Sequence, residues 1–515
     1  MDERKSRTGL AAALSIALIT LLTFAAIYAP RFELPKVVAK VTPAVRPVLP
    51  GVDLWLSTED RRLQLARQPE VELHARGSES ADIVIDVSKT YQTMAGFGAA
   101  MTDSSAWLLQ NKLKGLQRNA LLHELYGPPP NLNLNMMRLT IGASDFSLKL
   151  YTLDDVPFGQ DDPQLKHFNV TPNLRDVIPT VREVLSINPT LLVIASSWSA
   201  PAWMKTSQNL IGGELLEQYE STYADYLVKY LDTYRGYGIP IFALTLQNEP
   251  SYSPITYPGM EMSATTRARV IGQYLGPKLE IRKEKTRILE WDHNWNQPEQ
   301  TLTVLADPDA SRYIDGVAWH CYEGSQYVQG RVHRAYPRKD TYITECSGGD
   351  WASSVNGELI WFSRNLLVTG IRQWARGVLY WNLALDENHG PHFGGCAACK
   401  GVITIDSRTG AVSRNDEYYA FAHFSRFLFP GAVRVESTAT DKERIDNVAF
   451  QNVTDGSIVL VVVNSNTDAR PVSVAQDQTR FEYTMPPRSV ATFVWYPGQS
   501  GVYMPRDNGW LTTAP

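Results

Sequence analysis

Two glutamates stand where a carboxylate can do acid–base work. Glu249 lies in Thr245-Leu246-Gln247-Asn248-Glu249-Pro250, and Glu345 lies in Tyr342-Ile343-Thr344-Glu345-Cys346. Each closes a short apolar run of the kind that forms a buried strand. Two carboxyls about 5–5.5 Å apart are what retaining glycoside hydrolysis requires: one attacks the anomeric carbon and the other protonates the leaving oxygen. A lone strand-end Glu is usually a surface or capping carboxylate. Two in matched contexts, one preceded by Asn and followed by Pro, weigh against that reading. The sequence has no Gly-rich phosphate loop in a strand–helix context and no Gly-x-Ser-x-Gly elbow, so phosphoryl transfer and serine-hydrolase chemistry lack their usual residues.

The pair can meet only if the fold brings strand ends together. From Met94 to Trp381, apolar runs recur at Leu134–Leu139, Leu191–Ser196, Ile241–Gln247, Arg287–Trp291, Gly316–His320, Thr341–Glu345 and Gly377–Trp381, with amphipathic stretches such as Glu217–Tyr234 and Thr265–Lys278 between them. Seven or eight β-then-α units predict an α/β chain folded as a (β/α)₈ barrel, whose active site gathers at the C-terminal ends of the strands. A doubly wound sheet is the second choice. The tail differs. Ile458–Val463 and Ser489–Trp495, with turn signals around them, predict an all-β module, to which Val71–Ala75 and Ile83–Val87 could add strands. The domains expected are therefore an N-terminal membrane segment (1–30), a Pro-rich linker (31–52), the first strands of a β-sandwich (53–93), the catalytic barrel (94–428), the rest of the sandwich (429–500) and a tail (501–515).

Arg4, Lys5 and Arg7 precede an uncharged run from Thr8 to Pro30, long enough at 1.5 Å per residue to cross the roughly 30 Å of a bilayer core. The basic residues predict a cytoplasmic N-terminus and an extracytoplasmic body. Ile27 and Pro30 make a poor cleavage context, so a retained anchor is expected; a cleaved signal, giving a secreted or periplasmic protein, is the alternative. Over all 515 residues, 49 basic against 54 acidic side chains leave a net charge of −5, which removes the electrostatic footprint of a nucleic-acid binder. Hydrophobic residues make up 44% and charged ones 20%, so the chain is globular. Thirteen Trp and 24 Tyr supply flat faces for cores and for stacking on sugars.

An ordered series of motifs then resembles the family-30 glycoside hydrolases, which include lysosomal glucocerebrosidase. The series runs Gly96-Phe97-Gly98-Ala99-Ala100-Met101-Thr102-Asp103-Ser104, Met137-Arg138-Leu139, Ser144-Asp145-Phe146-Ser147, Ser197–Lys205, Asn248-Glu249-Pro250, Ala318-Trp319-His320-Cys321-Tyr322, Thr344-Glu345-Cys346, Trp381–Asp386 and Tyr419–Arg426. It extends from about residue 53 to 497. The resemblance implies Glu249 as general acid/base and Glu345 as nucleophile. Arg138 would lie beside Glu345 and keep it ionised, while the charge of Glu345 would push Glu249 up. Asn248 would hold the sugar 2-hydroxyl, Asp103 and Trp198 the distal hydroxyls, and Trp381 the floor of the site, with His320 and Tyr322 lining it. Plainer readings stand beside these: Asp103 as a cap for a helix beginning at Ser104, Trp198 and Trp381 as packing, His320 as a satisfied buried histidine.

Four cysteines remain. Cys396 and Cys399, with His389 and His392 before them, could form a short disulfide, a metal loop or free thiols. Cys321 and Cys346 follow His320 and Glu345, so they should point away from the pocket as small buried apolar residues. Gly390–Gly395 falls where the family carries a variable loop beside the substrate entrance, and here it departs from the vertebrate pattern. The expectation is a retaining β-glycosidase without metal or cofactor. Its first-choice substrate is a glucosylceramide-like glycolipid, favoured by the anchor, with β-1,6-glucan as the alternative. Xylan is less favoured because Trp381–Asp386 is closer to the glucocerebrosidase version. A non-catalytic cell-surface carbohydrate-binding protein is the rival class, and the paired glutamates count against it.

Overall fold

A computed structural model describes residues 51–352, 357–438 and 444–497. The expected membrane segment, nearly all of the Pro-rich linker and the tail lie outside the described residues. No helix among those described is long and apolar enough to cross a membrane.

Eight parallel strands close into a barrel: Gly96–Ala100, Met136–Ile141, Leu192–Ser197, Ala243–Thr245, Arg287–Asn294, Ile314–His320, Asp340–Glu345 and Ala375–Asn382. Closure excludes the doubly wound sheet. The first strand is the one not marked by an apolar run, because it is built as Gly-Phe-Gly-Ala-Ala. Its glycine is steric: a Cβ on Gly98 would lie 1.9 Å from the carbonyl oxygen of Met136 on the neighbouring strand. Met136, Ile194, Ala243, Leu289, Ala318, Tyr342 and Leu379 cluster inside the barrel and fill it, so any opening is at an end.

Outside the barrel, the helix Glu220–Gly236 buries Tyr223, Leu227, Tyr230, Leu231 and Tyr234, a stripe at helical spacing. The stretch predicted from Thr265 is helical from Ala264 to Ile281 but passes through a π turn at Val270–Leu275. Pro277, which has no N–H to give, follows after Gly276, and the wider turn absorbs the break.

The segments before and after the barrel share one sheet. Gly51–Thr58 pairs with Ser489–Trp495, and Ile83–Thr93 pairs with Val433–Ser437 and Arg470–Gln476. Their inward residues, among them Leu54, Leu460, Val462, Phe481, Phe493 and Trp495, form a separate core. His423, on the helix Asp416–Ser425, ties this sheet to the barrel through hydrogen bonds to Ser57 and Thr492, both 2.8 Å.

Candidate active site

The ends of five strands converge on Arg138, in the middle of the second strand and fully buried. Its guanidinium donates to Glu345 Oε2 (2.5 Å), Asn248 Oδ1 (2.7 Å) and Asp292 Oδ2 (2.8 Å). It also lies 4.8 Å from the ring of Trp198 and 5.5 Å from that of Trp381, a cation over two stacked indoles whose centroids are 4.9 Å apart. Glu345 ends the seventh strand, as the sequence predicts, and Tyr322 donates its hydroxyl to Glu345 Oε1 at 2.8 Å. Glu249 follows the short fourth strand with φ +48°, a left-handed conformation that costs a non-glycine about 1–3 kcal/mol. Hydrogen bonds from the Asn248 N–H to Ser197 and from the Glu249 N–H to Asp292 hold it there.

Asp292 is the residue that sequence reasoning missed. It is fully buried and accepts from Ser196 (2.6 Å), Thr245 (2.7 Å) and Arg138 through Oδ2. Its Oδ1 accepts from Thr344 (2.6 Å) and faces His320 Nε2 at 3.2 Å. Burial alone would raise its pKa, but the charges and hydrogen bonds of Arg138 and His320 reverse this and hold it well below the carboxylate range. A signal did exist. The run Arg287–Asn294 places three polar residues, Asp292, His293 and Asn294, at the end of an apolar strand. The strand bulges between Trp291 and His293, with positive φ at Trp291 and Asp292, and the bulge turns consecutive side chains toward the same pocket.

His320 joins the carboxylates. Its Nδ1 lies 3.1 Å from Glu249 Oε1, and its Nε2 lies 3.9 Å from Glu345 Oε2. Burial opposes a charge on this ring, but Glu345, Asp292 and Glu249 prevail and raise it to about 9. His320 is therefore both the satisfied buried histidine and a lining residue. The split expected between the glutamates is reversed. Burial would raise Glu249, yet the hydrogen bond and charge of His320 hold it below its ordinary value; Glu345 is raised by burial, against the pull of His320 and Arg138. The reason is that the protonated partner, His320, sits closer to Glu249. At neutral pH the imidazole therefore carries the proton that its Nδ1 presents to Glu249.

Asp103 is a correction. The structure places its carboxylate against Tyr151 (2.9 Å) and Ser147, and its electrostatic partners are Tyr151, Asp176 and Lys149, away from the paired glutamates. It does not cap its helix either: Thr102 is the N-cap and Asp103 the first helical residue. The carboxyl that does enter the site is Asp145, in a motif the resemblance had already singled out. It takes a hydrogen bond from Trp381, and burial together with the charge of Glu345 raises it to about 8. Trp198, Trp381 and Phe146 form one aromatic wall with Ala100, Leu385 and Cys399.

The family model for the glycosyl hydrolase family 30 TIM-barrel domain matches residues 94–428, and that for the family 30 beta sandwich domain matches residues 431–493. The chain belongs to glycosyl hydrolase family 30. It is 36% identical over 387 residues to the endo-1,6-beta-D-glucanase of Neurospora crassa, covering 72% of this chain and 79% of that protein. It is 29% identical over 436 residues to the lysosomal acid glucosylceramidase of Mus musculus, covering 80% and 83%. Among solved structures, the endo-beta1,6-glucanase BT3312 superposes with a TM-score of 0.80 at 30% identity, covering 87% of this chain and all of that one. This family-30 chain is thus an O-glycosyl hydrolase.

The cysteines of this hydrolase are all paired, which corrects the reading of Cys321 and Cys346 as separate apolar residues. His320 stands opposite Glu345 in the register of adjacent strands, so the residues that follow are neighbours, and Cys321 and Cys346 form a disulfide with Cα atoms 5.2 Å apart. Cys396 and Cys399 form the second disulfide, so they hold no metal. His389 and His392 turn instead to Cys399 and Gly394 carbonyls. The loop carrying this disulfide joins three walls of the site. The Phe393 N–H bonds the Asp145 carbonyl, and a Cβ on Gly395 (φ +67°) would lie 2.4 Å from Asp145 Cβ. Gly394 packs on Thr256, and Cys399 and Lys400 bridge to Gly349 and Gly348 beyond Glu345. Among the described residues, Glu249, His293 and His320 are the group whose ligand atoms lie close enough together to hold a metal ion.

Proposed function

We propose that this chain is a retaining β-1,6-glucanase working by double displacement. The observation that carries the substrate is the likeness to endo-1,6-beta-glucanases in both sequence and fold, together with a site built around Glu249 and Glu345. In the first step Glu345 attacks the anomeric carbon while Glu249, taking the proton it shares with His320, passes it to the leaving oxygen. In the second, Glu249 draws a proton from water, which attacks the glycosyl ester of Glu345 and leaves the β configuration intact. Asn248 accepts from Arg138 through Oδ1, which leaves its NH₂ to donate to the sugar. Asp145 recognises ring hydroxyls and the Trp198–Trp381 pair forms the floor. Arg138 and Tyr322 fix the orientation of the nucleophile.

A glucosylceramide-like glycolipid, the sequence's first choice, is the second reading. It is favoured by the likeness to glucosylceramidases and by the apolar N-terminal run. Hydrolysis of β-1,6-glucan and of glucosylceramide by the same preparation, side by side, decides between them. Cleavage of the lipid alone would overturn the glucanase assignment. We further propose that the catalytic body is extracytoplasmic, held by the N-terminal segment. Two disulfides suit an oxidising compartment. Release of the protein from membranes by carbonate, with an N-terminus beginning after Ala25, would show a cleaved signal instead.

A further inference from the structure

His293 has no role in the hydrolytic scheme, yet the chain spends a bulge to aim it inward. Its side chain is 8% exposed, and Nδ1 is buried without a hydrogen-bond partner. An unpaired polar atom in such a place is destabilising. Nδ1 lies 3.6 Å from Glu249 Oε1, and His320 Nδ1 lies 3.1 Å from the same oxygen. One ligand atom from each of the three residues falls within 4.8 Å of the other two.

We propose that Glu249, His293 and His320 form a binding site for a zinc-class divalent transition-metal ion, and that the ion switches the hydrolase off. Two imidazoles and one carboxylate are the donor set of three-ligand zinc sites, which leave a fourth position open. Zinc bonds of about 2.0–2.2 Å set tetrahedral ligand atoms about 3.4 Å apart, close to the 3.6 and 3.1 Å that separate the two imidazole nitrogens from Glu249 Oε1. The outer partner is also present: His320 turns Nε2 to the Asp292 carboxylate, the arrangement that orients a ligating imidazole. The neighbouring ring of Trp291, 5.2 Å from that of His293, limits how far His293 can turn. Binding is an exchange. The ion enters and the proton shared by His320 and Glu249 leaves to solvent, with no change in oxidation state. With Glu249 ligated, no acid remains for the leaving group, and the open fourth position of the ion occupies the space next to it.

The inhibition rests on the role proposed for Glu249, but the binding does not, so the two are read separately. Full-length protein is stripped with chelator and dialysed against graded zinc chloride, and bound metal is measured without substrate. One ion per chain is expected, with hydrolysis of an aryl β-glucoside lost at the same midpoint. Losing an outer partner weakens a site about 10–100-fold. H293A, which loses a ligand, should therefore weaken zinc at least about 100-fold and be correspondingly resistant to inhibition, whereas H389A, at the surface loop, should keep the wild-type midpoint. Cobalt(II) provides a test without any variant: intense visible bands of a four-coordinate ion are expected, and they should fade when zinc is added. An unchanged zinc midpoint in folded H293A, or the weak spectrum of six-coordinate cobalt in the wild type, overturns the proposal. Zinc bound with this dependence on His293 but without loss of hydrolysis would uphold the site and refute the switch.

Discussion

Replacing Asp292 by Asn tests the arrangement at its centre, because the change keeps shape and removes charge. The amide has one acceptor and one donor where the carboxylate had two acceptors. With NH₂ at the Oδ2 position it would face three donors, from Ser196, Thr245 and Arg138. At the Oδ1 position it faces the Thr344 hydroxyl, which can rotate and accept, and His320 Nε2. The second orientation costs less. There the amide donates to Nε2, and a ring that must accept at Nε2 cannot also be protonated there. His320 thus loses a charge-assisted hydrogen bond of about 1.5–3 kcal/mol, and at 1.36 kcal/mol per pH unit its pKa falls from about 9 by about 1–2 units. Because the shared proton supplies Glu249, activity disappears as pH rises through this value. The alkaline limb of kcat/KM, which reports the free enzyme, should therefore move from near 9 to about 7–8 in D292N. The assay is the pH–rate profile on an aryl β-glucoside with chelator present, alongside circular dichroism to show that the variant is folded. A folded D292N whose alkaline limb stays within about 0.3 units of wild type would refute the reasoning.

Three further outcomes are expected. E249A should lose about 10²–10⁴-fold on β-1,6-glucan but retain most of the first step on glucosides with strongly acidic leaving groups, measured as the pre-steady-state burst; equal losses on both would remove Glu249 from the acid role. A 2-fluoro slow substrate should label Glu345 alone, NMR should show the β-anomer first, and activity should fall as pH drops through a value above the ordinary glutamate range, because burial raises Glu345 and only its ionised form attacks. Glu417 is raised well above its ordinary value by burial and by Glu358, so the folded state keeps a proton that the unfolded chain releases near 4.3. Stability should therefore decline by up to about 1.4 kcal/mol per pH unit as pH rises from there toward the folded value. E417Q should flatten that decline in a series of thermal melts from pH 5 to 8, and an unchanged slope would refute the assignment.

What the sequence makes legible follows its periodicity. Glu249, Glu345 and His320 are each approached by an apolar run whose end predicts a barrel-strand terminus, Arg138 lies within such a run, and all four meet in the pocket at that end of the barrel. The barrel itself is legible for the same reason, apart from the Gly98 strand, which packs by having almost no side chains. Asp292 and His293 were hidden because a bulge breaks the alternation on which any strand reading depends. Asp103 stands near the end of the motif that carries the first strand, which is what makes it the candidate ring-binding carboxylate in the sequence. The three-dimensional path instead brings Asp145, carried in on the loop after the second strand and pinned by Phe393 and Gly395, to the pocket beside Glu345 and Trp381. The Cys321–Cys346 disulfide is a matter of register: direction along each strand was readable, adjacency between strands was not.

The charges around the pocket explain why so many carboxylates are gathered there. Arg138 and protonated His320 supply two positive charges, while Glu249, Glu345 and Asp292 supply three negative ones. Asp145, raised to about 8, adds little charge at neutral pH. On the roles proposed, transfer of the shared proton from His320 to Glu249 neutralises one partner of each sign and keeps the balance at one negative charge in excess. That excess lies beside the anomeric carbon as it becomes oxocarbenium-like, where fixed charge in a water-poor site is worth most. Asp292 therefore does more than hold Arg138. It keeps His320 cationic until the moment of transfer, and it remains as the buried counter-charge for Arg138 once Glu345 has spent its own charge in the glycosyl ester.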